Sequence, residues 1–388
     1  MSKVLILTAS TGAGHNQAAK SLQLKYERVG HQVQIVDILK ETHRAYDKVI
    51  GEGYEFVAAN MPEVYKAMYE VADMKAFNKL VNRYGLPGVN LKLNKIIKGS
   101  RPDIIIATHP FAVGIVTALK RKREIEAIFI SVVTDFRAHF AYYSQLVDAY
   151  IVGSDYTKQS LVSKGIPEHK IHPFGIPINL AFLDGEVKKL QSRKTEDQMP
   201  FNVLVMAGSM GVSKIADVIK EVVMNESYRV KVVCGKNEKL YETIHEQYKN
   251  YIDGDRVVVY GFTREIPKLM SEADVLITKP GGLTTTEALQ KSVPMIIPFA
   301  IPGQEEENAE FLETQGVAMR GSTPEAIGCC VEVLYKERGL HNRMVRQMQE
   351  ISKDYSIDSI IELSENLLFG GLTEVETGNF KRSERLYI

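Results

Sequence analysis

The stretch "VLILTASTGAGHNQAAKSL", residues 4–22, decides how the rest of the chain is understood. The apolar run from Val4 to Leu7 suits a strand buried on both faces. Gly12 and Gly14 then crowd into a bend, and His15 falls in the first turn of a helical pattern. Strand, glycine turn and helix in that order open a parallel sheet built with crossover helices. The same unit recurs along the chain. The first half offers "VLILTA", "VQIVDI", "DIIIAT", "AIFISVVT" and "AYIVGS"; the second offers "FNVLVMAG", "RVKVVCG", "RVVVYGF", "DVLITKP" and "PMIIPF". Each series suffices for one sheet. The expected fold class is therefore α/β, with two Rossmann-like, doubly wound parallel-sheet domains facing each other across a cleft. In such sheets ligands bind beyond the carboxyl ends of the strands, so function is expected in the loops that leave them.

Between the two series, "GEVKKLQSRKTEDQMP" at 185–200 is charged, poor in apolar residues and closed by Pro200, as a linker or mobile loop would be. The expected division is a first domain at 1–184, this linker at 185–200, a second domain at 201–370 and a tail at 371–388. With 388 residues, 45% apolar and 25% charged, the chain is long enough for two ordinary domains. Cys234, Cys329 and Cys330 give neither a spaced ligand set nor an even disulfide framework, which suits a reducing compartment; the adjacent pair is expected simply to fill a helix. Met1 runs directly into a strand without a signal-peptide pattern, and no apolar stretch approaches the ~20 residues of a membrane span. The expectation is a soluble or peripheral protein.

The formal net charge of zero hides an asymmetry. Through Leu180 there are 23 Lys and Arg against 16 Asp and Glu, which leaves 25 against 32 of the 48 and 48 for the remainder. Either the first half faces an anionic surface, or the two domains attract each other. A basic insertion bears on this choice. Roughly sixty residues separate "VQIVDI" from "DIIIAT", and among them Tyr65, Met68, Tyr69, Phe77, Leu80 and Tyr84 mingle with Lys66, Lys75, Lys79, Arg83, Lys92, Lys95 and Lys98. Apolar groups entering the acyl boundary while cations meet anionic headgroups would dock such a segment on a membrane. An ordinary helix pair with solvated lysines fits the same pattern.

Several strand-end loops carry chemistry. "TASTGAGHNQ" matches a dinucleotide fingerprint only in part, since Gln17 stands where the third glycine belongs and Asp37 is the one candidate acid. "TKPGGLTTTEALQ", 278–290, bends through Pro280, Gly281 and Gly282 into a helix with Thr284, Thr285 and Thr286 available to cap it. Free amides at such a helix start suit phosphates, and Glu287, one turn inside, can accept two hydrogen bonds from vicinal ribose hydroxyls. The next strand end places Gln304, Glu305 and Asn308 where sugar hydroxyls would meet them. "VMAGSMGVSK", 205–214, adds Gly208, Ser209 and Gly211 for the same diphosphate, and Phe262 lies at a strand end suited to reading a base edge. Capping boxes and solvated helix starts explain each loop separately. They do not explain why successive strands end this way.

Taken together, "GAGH", "VVTDF", "GIPI", "AGSMGVSK", "VVCGKN", "TKPGGLTTTEA" and "PGQEEEN" run in order from about residue 4 to residue 316 and resemble the monogalactosyldiacylglycerol synthase branch of the inverting GT-B glycosyltransferases, especially the bacterial processive diacylglycerol β-glucosyltransferases. "GAGH" departs from the "GNGH" and "GGGH" of that family but keeps the histidine. The resemblance implies transfer of a hexose from a UDP-sugar to diacylglycerol at the inner membrane face. It implies donor binding through Ser209, Gly281, Gly282, Thr284 and Glu287, with Gln304, Glu305 and Asn308 near the hexose, and an acceptor-binding first domain with His15 as catalytic base.

The chemistry fits those roles. Displacement at the anomeric carbon needs the acceptor hydroxyl deprotonated and the departing diphosphate stabilised. Histidine suits the first task. Amides around Gly281 and Thr284, helped by Lys214 or Lys279, suit the second. Asp135 would orient His15 or replace it, Gly14 would bring the histidine to the acceptor, and Arg137 with His139 would meet an anionic lipid. No cofactor is expected, and no metal site: the only D-x-D spacing, Asp253 and Asp255, precedes a strand and is expected to be a turn. No nucleic-acid partner is implied. The alternatives are a galactosyl donor, a UDP-GlcNAc transferase or 2-epimerase of the same fold, and a non-catalytic UDP-sugar sensor.

Overall fold

The computed structural model describes residues 1–10, 13–42, 89–183, 200–207 and 212–370. Gly12, the cations Lys75, Lys79 and Arg83, nearly all of the 185–200 linker, the loop of Gly208, Ser209 and Gly211, and the tail at 371–388 lie outside the described residues, as does the side chain of Lys214.

Two parallel sheets organise the chain. The first contains β1 (Lys3–Thr8), β2 (Gln32–Asp37), β3 (Ile104–Ala107), β4 (Ile128–Val132), β5 (Ala149–Ile151) and β6 (Ile171–His172), in the order β2-β1-β3-β4-β5-β6. The second contains β7 (Phe201–Met206), β8 (Tyr228–Val233), β9 (Val257–Tyr260), β10 (Val275–Ile277), β11 (Met295–Ile297) and β12 (Ala318–Arg320), in the order β12-β11-β10-β7-β8-β9. Helices cover both faces, which is why central strands are apolar without alternation, from Val4 to Leu7 in β1 and from Ile104 to Ala107 in β3. Successive residues still serve opposite faces. Leu5 and Leu7 pack with Ile105 and Phe129, whereas Val4 and Ile6 pack with Ile104, Ile106 and Ile130.

The expected strands all form. The two short edge strands β6 and β12 are additional, with two and three residues. Cys329 and Cys330 sit side by side in the helix Pro324–Lys336, the first exposed and the second buried. Asp253 ends the short helix Lys249–Asp253, facing Lys249 at 3.4 Å, and the turn expected here follows it, with Asp255 in a left-handed conformation, φ 56°.

One element departs from the expected division. The last described helix, Ile357–Gly370, follows the second sheet in sequence but packs on the first: Ile357, Ile360 and Ile361 join Val4, Ile6 and Ile130. Tyr26 donates to Ser364 at 2.8 Å, and Lys25 pairs with Asp358 at 2.7 Å. Its apolar stripe fits the uncovered face of the first sheet, so the range 201–370 includes one helix of the other layer. The crossing point is tight. Tyr355 lies on Gly175, whose φ of +84° and missing side chain are both required, since a Cβ there would stand 2.6 Å from the ring.

A further apolar cluster belongs to neither sheet alone. Ala18, Phe136, Ile176 and Ile178 meet Leu276, Leu289 and Phe311, and the rings of Phe136 and Phe311 stack at 4.4 Å. Such a pair contributes roughly 1 kcal/mol beyond its buried area. The two sheets therefore hold each other with their carboxyl ends facing.

Candidate active site

Strand order locates the site. In the second sheet the chain winds outward from β7 through β8 to β9, then restarts on the other side of β7 with β10. The crevice of such a sheet opens between β7 and β10, where "VMAGSMGVSK" and "TKPGGLTTTEALQ" emerge. The first sheet reverses between β1 and β3, which brings the residues after β1, His15 among them, beside Thr108 and His109 after β3.

On the second sheet, Gly281 caps the helix Gly282–Lys291 with extended backbone, no side-chain cap and no acid in the first turn. The threonines expected to cap it do not. Thr286 donates back to the carbonyl of Gly282 at 2.8 Å, Thr285 Oγ1 is buried without a partner, and Thr284 is half-buried. The helix start thus keeps its amides for an anion. The neighbouring helix Gln304–Thr314 differs, because Glu305, Glu306 and Glu307 fill its first turn and offset the dipole themselves. Glu287 lies one turn inside the first of these helices, 9% exposed, with no hydrogen bond or ion pair among the described residues. Burial lifts its carboxyl to about 8. A carboxyl buried in this way without a partner keeps its hydrogen-bonding capacity for a ligand, and hydroxyls donating to it would favour its ionised form.

The other expected donor residues divide. Gln304 donates to Asp135 across the cleft. Glu305 is engaged by Lys279 at 2.6 Å and by the amide of Ile301 at 3.1 Å. Asn308 is fully buried, accepting from the Phe136 amide at 2.9 Å and donating to the carbonyl of Pro280 at 3.0 Å. Its amide group therefore bridges the two domains in this arrangement. Phe262 is 69% exposed, beyond β9.

On the first sheet, His15 is held by two strand ends. Its Nδ1 lies 2.8 Å from the carbonyl of Thr108 and 3.0 Å from Thr134 Oγ1. A carbonyl oxygen only accepts, so Nδ1 carries the proton and Nε2 keeps its lone pair. Burial pushes the imidazole down to about 4, against the raising effect of the Thr108 carbonyl, so the ring is neutral at pH 7. His109 meets it edge-on, centroids 4.5 Å apart, and accepts from the Phe111 amide through Nδ1 at 3.1 Å. Burial, then the neighbouring His15, holds His109 well below the ordinary imidazole value. No local motif marks Thr108, Thr134 and His109 in the sequence, although "ATHP" carries one signal, a strand end followed by a helix opening on proline.

Asp135 is buried and lifted to about 7 by that burial, with Gln304 pulling the other way and Glu307 pushing further. Arg137 reaches Glu307 at 3.6 Å, so its cation faces the second domain. His139 accepts from the Ala141 amide and opens a short turn. Asp37 is spent locally, accepting from the amide and hydroxyl of Ser10 and the amide of Leu39, which removes it as a ribose acid for a dinucleotide.

The two halves nearly touch. A Cβ on Gly282 would lie 2.1 Å from the carbonyl oxygen of Thr134, and one on Gly14 would lie 3.8 Å from Leu283. A neutral imidazole on one sheet thus faces an uncapped helix start on the other. This is suited to removing a proton from one substrate while an anionic leaving group departs from the other.

Known proteins place the chain. The family model "Monogalactosyldiacylglycerol (MGDG) synthase" matches residues 15–178, and "Glycosyltransferase family 28 C-terminal domain" matches residues 202–354. The processive diacylglycerol beta-glucosyltransferase of Bacillus subtilis is 32% identical over 367 residues, 93% of this chain and 94% of that protein. Its Staphylococcus carnosus counterpart is 31% identical over 360 residues, 91% and 90%. Among solved structures, MurG of Acinetobacter baumannii superposes with a TM-score of 0.62 at 17% identity, covering 94% of this chain and 99% of MurG. A UDP-N-acetylglucosamine 2-epimerase gives 0.56 at 16%, covering 99% of each. At those identities the structures establish the fold alone, which transferases and epimerases share. The relatives in sequence are more specific: this chain is a GT-B glycosyltransferase of the monogalactosyldiacylglycerol synthase family, with a family 28 C-terminal domain.

Proposed function

We propose that the protein transfers a hexose, glucose in preference to galactose, from a UDP-sugar to diacylglycerol with inversion, adding further sugars processively, as a peripheral protein of the cytoplasmic membrane face. Among the described residues no helix is long and apolar enough to cross a membrane. The observation that carries the proposal is the pairing across the cleft of a neutral, oriented His15 with an uncapped helix start above the isolated Glu287.

In this mechanism the ribose hydroxyls donate to Glu287 and the diphosphate lies against the amides of Gly282, Leu283 and Thr284, with Gly208, Ser209 and Gly211 assigned to the same diphosphate. The acceptor hydroxyl gives its proton to Nε2 of His15 as its oxygen attacks the anomeric carbon from the face opposite UDP. The bond to the diphosphate breaks, and the helix dipole with its free amides stabilises the charge that develops. Lys279 contributes less as a cation, because Glu305 holds it. Asp135 serves as a cross-domain anchor for Gln304. The basic insertion, with Lys75, Lys79 and Arg83, supplies the membrane contact, and no metal takes part.

Mass spectrometry of lipids formed from diacylglycerol with UDP-glucose and UDP-galactose in parallel tests the proposal. Mono- and diglucosyl products, scarce with galactose, are expected. UDP-sugar binding without any glycolipid would favour a sensor, and conversion of UDP-GlcNAc to its epimer would favour the epimerase.

A further inference from the structure

Four consecutive residues after β4 each engage the other domain. The carbonyl of Thr134 packs on Gly282, where no Cβ fits; Asp135 accepts from Gln304; the Phe136 amide donates to Asn308 while its ring stacks on Phe311; and Arg137 pairs with Glu307. The hydroxyl of the first of them touches His15 at 3.0 Å and Tyr142 at 3.1 Å. Asn308, at 0% exposure, ties this segment to Pro280, the residue before the glycine turn of the donor helix. One short loop therefore contacts both the donor helix and the imidazole.

We propose that Thr134 is a positioning residue through which closure of the second domain sets His15, with Asn308 as the latch that holds the connecting loop closed. This deepens the assignment of His15 as base and rests on it. With the domains apart, the Thr134–Arg137 segment loses its partners on the second domain, and His15 keeps one hydrogen-bond partner, the Thr108 carbonyl, which fixes its tautomer, beside the edge of His109. With the domains together, the Thr134 hydroxyl supplies a second hydrogen-bond partner and the ring is fixed. The consequence is order: the base is assembled after the donor helix has arrived. Water then meets no competent base in the open form, which limits wasteful hydrolysis of the UDP-sugar.

The test is a double-mutant cycle on transfer, with UDP affinity and UDP-sugar hydrolysis measured alongside. Thr134→Val keeps the side-chain shape and removes the hydroxyl. It should lower kcat between about 10- and 100-fold, as expected for a misplaced catalytic group, while UDP affinity stays within about twofold and Thr134→Ser restores most of the rate. Asn308→Ala should lower kcat similarly, and the double variant should lose little more than either single one, because both act through one connection. Arg137→Gln, at the exposed end of the segment, repeats the cycle should Asn308→Ala fail to fold. Losses that multiply in the double variant, or wild-type turnover in Thr134→Val alongside an inactive His15→Ala, would overturn the coupling and leave the base in place. Near-normal turnover in His15→Ala would instead remove the reading of the base beneath it.

Discussion

Glu287→Gln should move stability and ligand binding in opposite directions. Burial without a partner raises this carboxyl from 4.5 to about 8 in the folded chain. An acid raised by folding holds its proton more tightly in the native than in the unfolded state. It costs nothing below 4.5, costs progressively more as pH rises from 4.5 to about 8, and imposes its full cost above 8. At about 1.4 kcal/mol per tenfold change in proton affinity, that cost reaches about 5 kcal/mol at most. Glutamine has nearly the same shape and no charge to bury, so the variant should match the parent near pH 5 and exceed its stability by up to this amount above pH 8. Asp135, also lifted by burial, tilts both proteins in the same sense and cancels in the difference. UDP affinity should fall by about 1 to 3 kcal/mol, the range for losing hydrogen bonds to a charged acceptor. Denaturant unfolding from pH 5 to pH 9, with calorimetric titration of UDP at pH 8, measures both. Parallel stability curves would refute the isolated burial of Glu287, and unchanged UDP affinity would refute its assignment to the ribose.

Gly282→Ala forces apart two backbone segments that no rotamer change can separate, so transfer should drop about 10- to 100-fold and small-angle scattering should show a more open molecule; wild-type values in both would contradict the close approach to Thr134. Replacing Lys75, Lys79 and Arg83 together by Gln should weaken sedimentation with anionic vesicles while leaving UDP binding intact, and added salt should act in the same direction on the parent. Equal vesicle binding by variant and parent would assign those cations to a solvated helix face.

Long apolar runs made the sheets legible in sequence. Val4 to Leu7 and Ile104 to Ala107 are buried on both faces, and such strands leave no ambiguity of period. The edge strands β6 and β12 leave no sequence signal, because two or three residues cannot form a run. The helix Ile357–Gly370 shows its apolar stripe plainly, but a stripe does not say which sheet it covers. His15 and Glu287 were legible because strand-end chemistry is local, a glycine turn followed by one reactive side chain. Thr108 and Thr134 were not, since they act on His15 from 93 and 119 residues away, a relation created only by the order of the strands. Asn308 was legible as a polar group at the right helix start. Its partners, Phe136 and Pro280, come from loops of different domains, 172 and 28 residues away, brought together only in the folded chain.

The proposed mechanism divides the labour, with the base on the first sheet and the donor on the second. His15→Ala separates the two most directly, by measuring lipid transfer and UDP-sugar affinity on the same preparation. Transfer should fall about 10²-fold or more for a missing general base, while UDP-sugar affinity stays within about twofold of the parent. A fall in affinity that matches the fall in turnover would make the first glycine loop a phosphate cradle, and near-normal turnover would pass the role of base to Asp135; either result would contradict His15 as a base separate from the donor site.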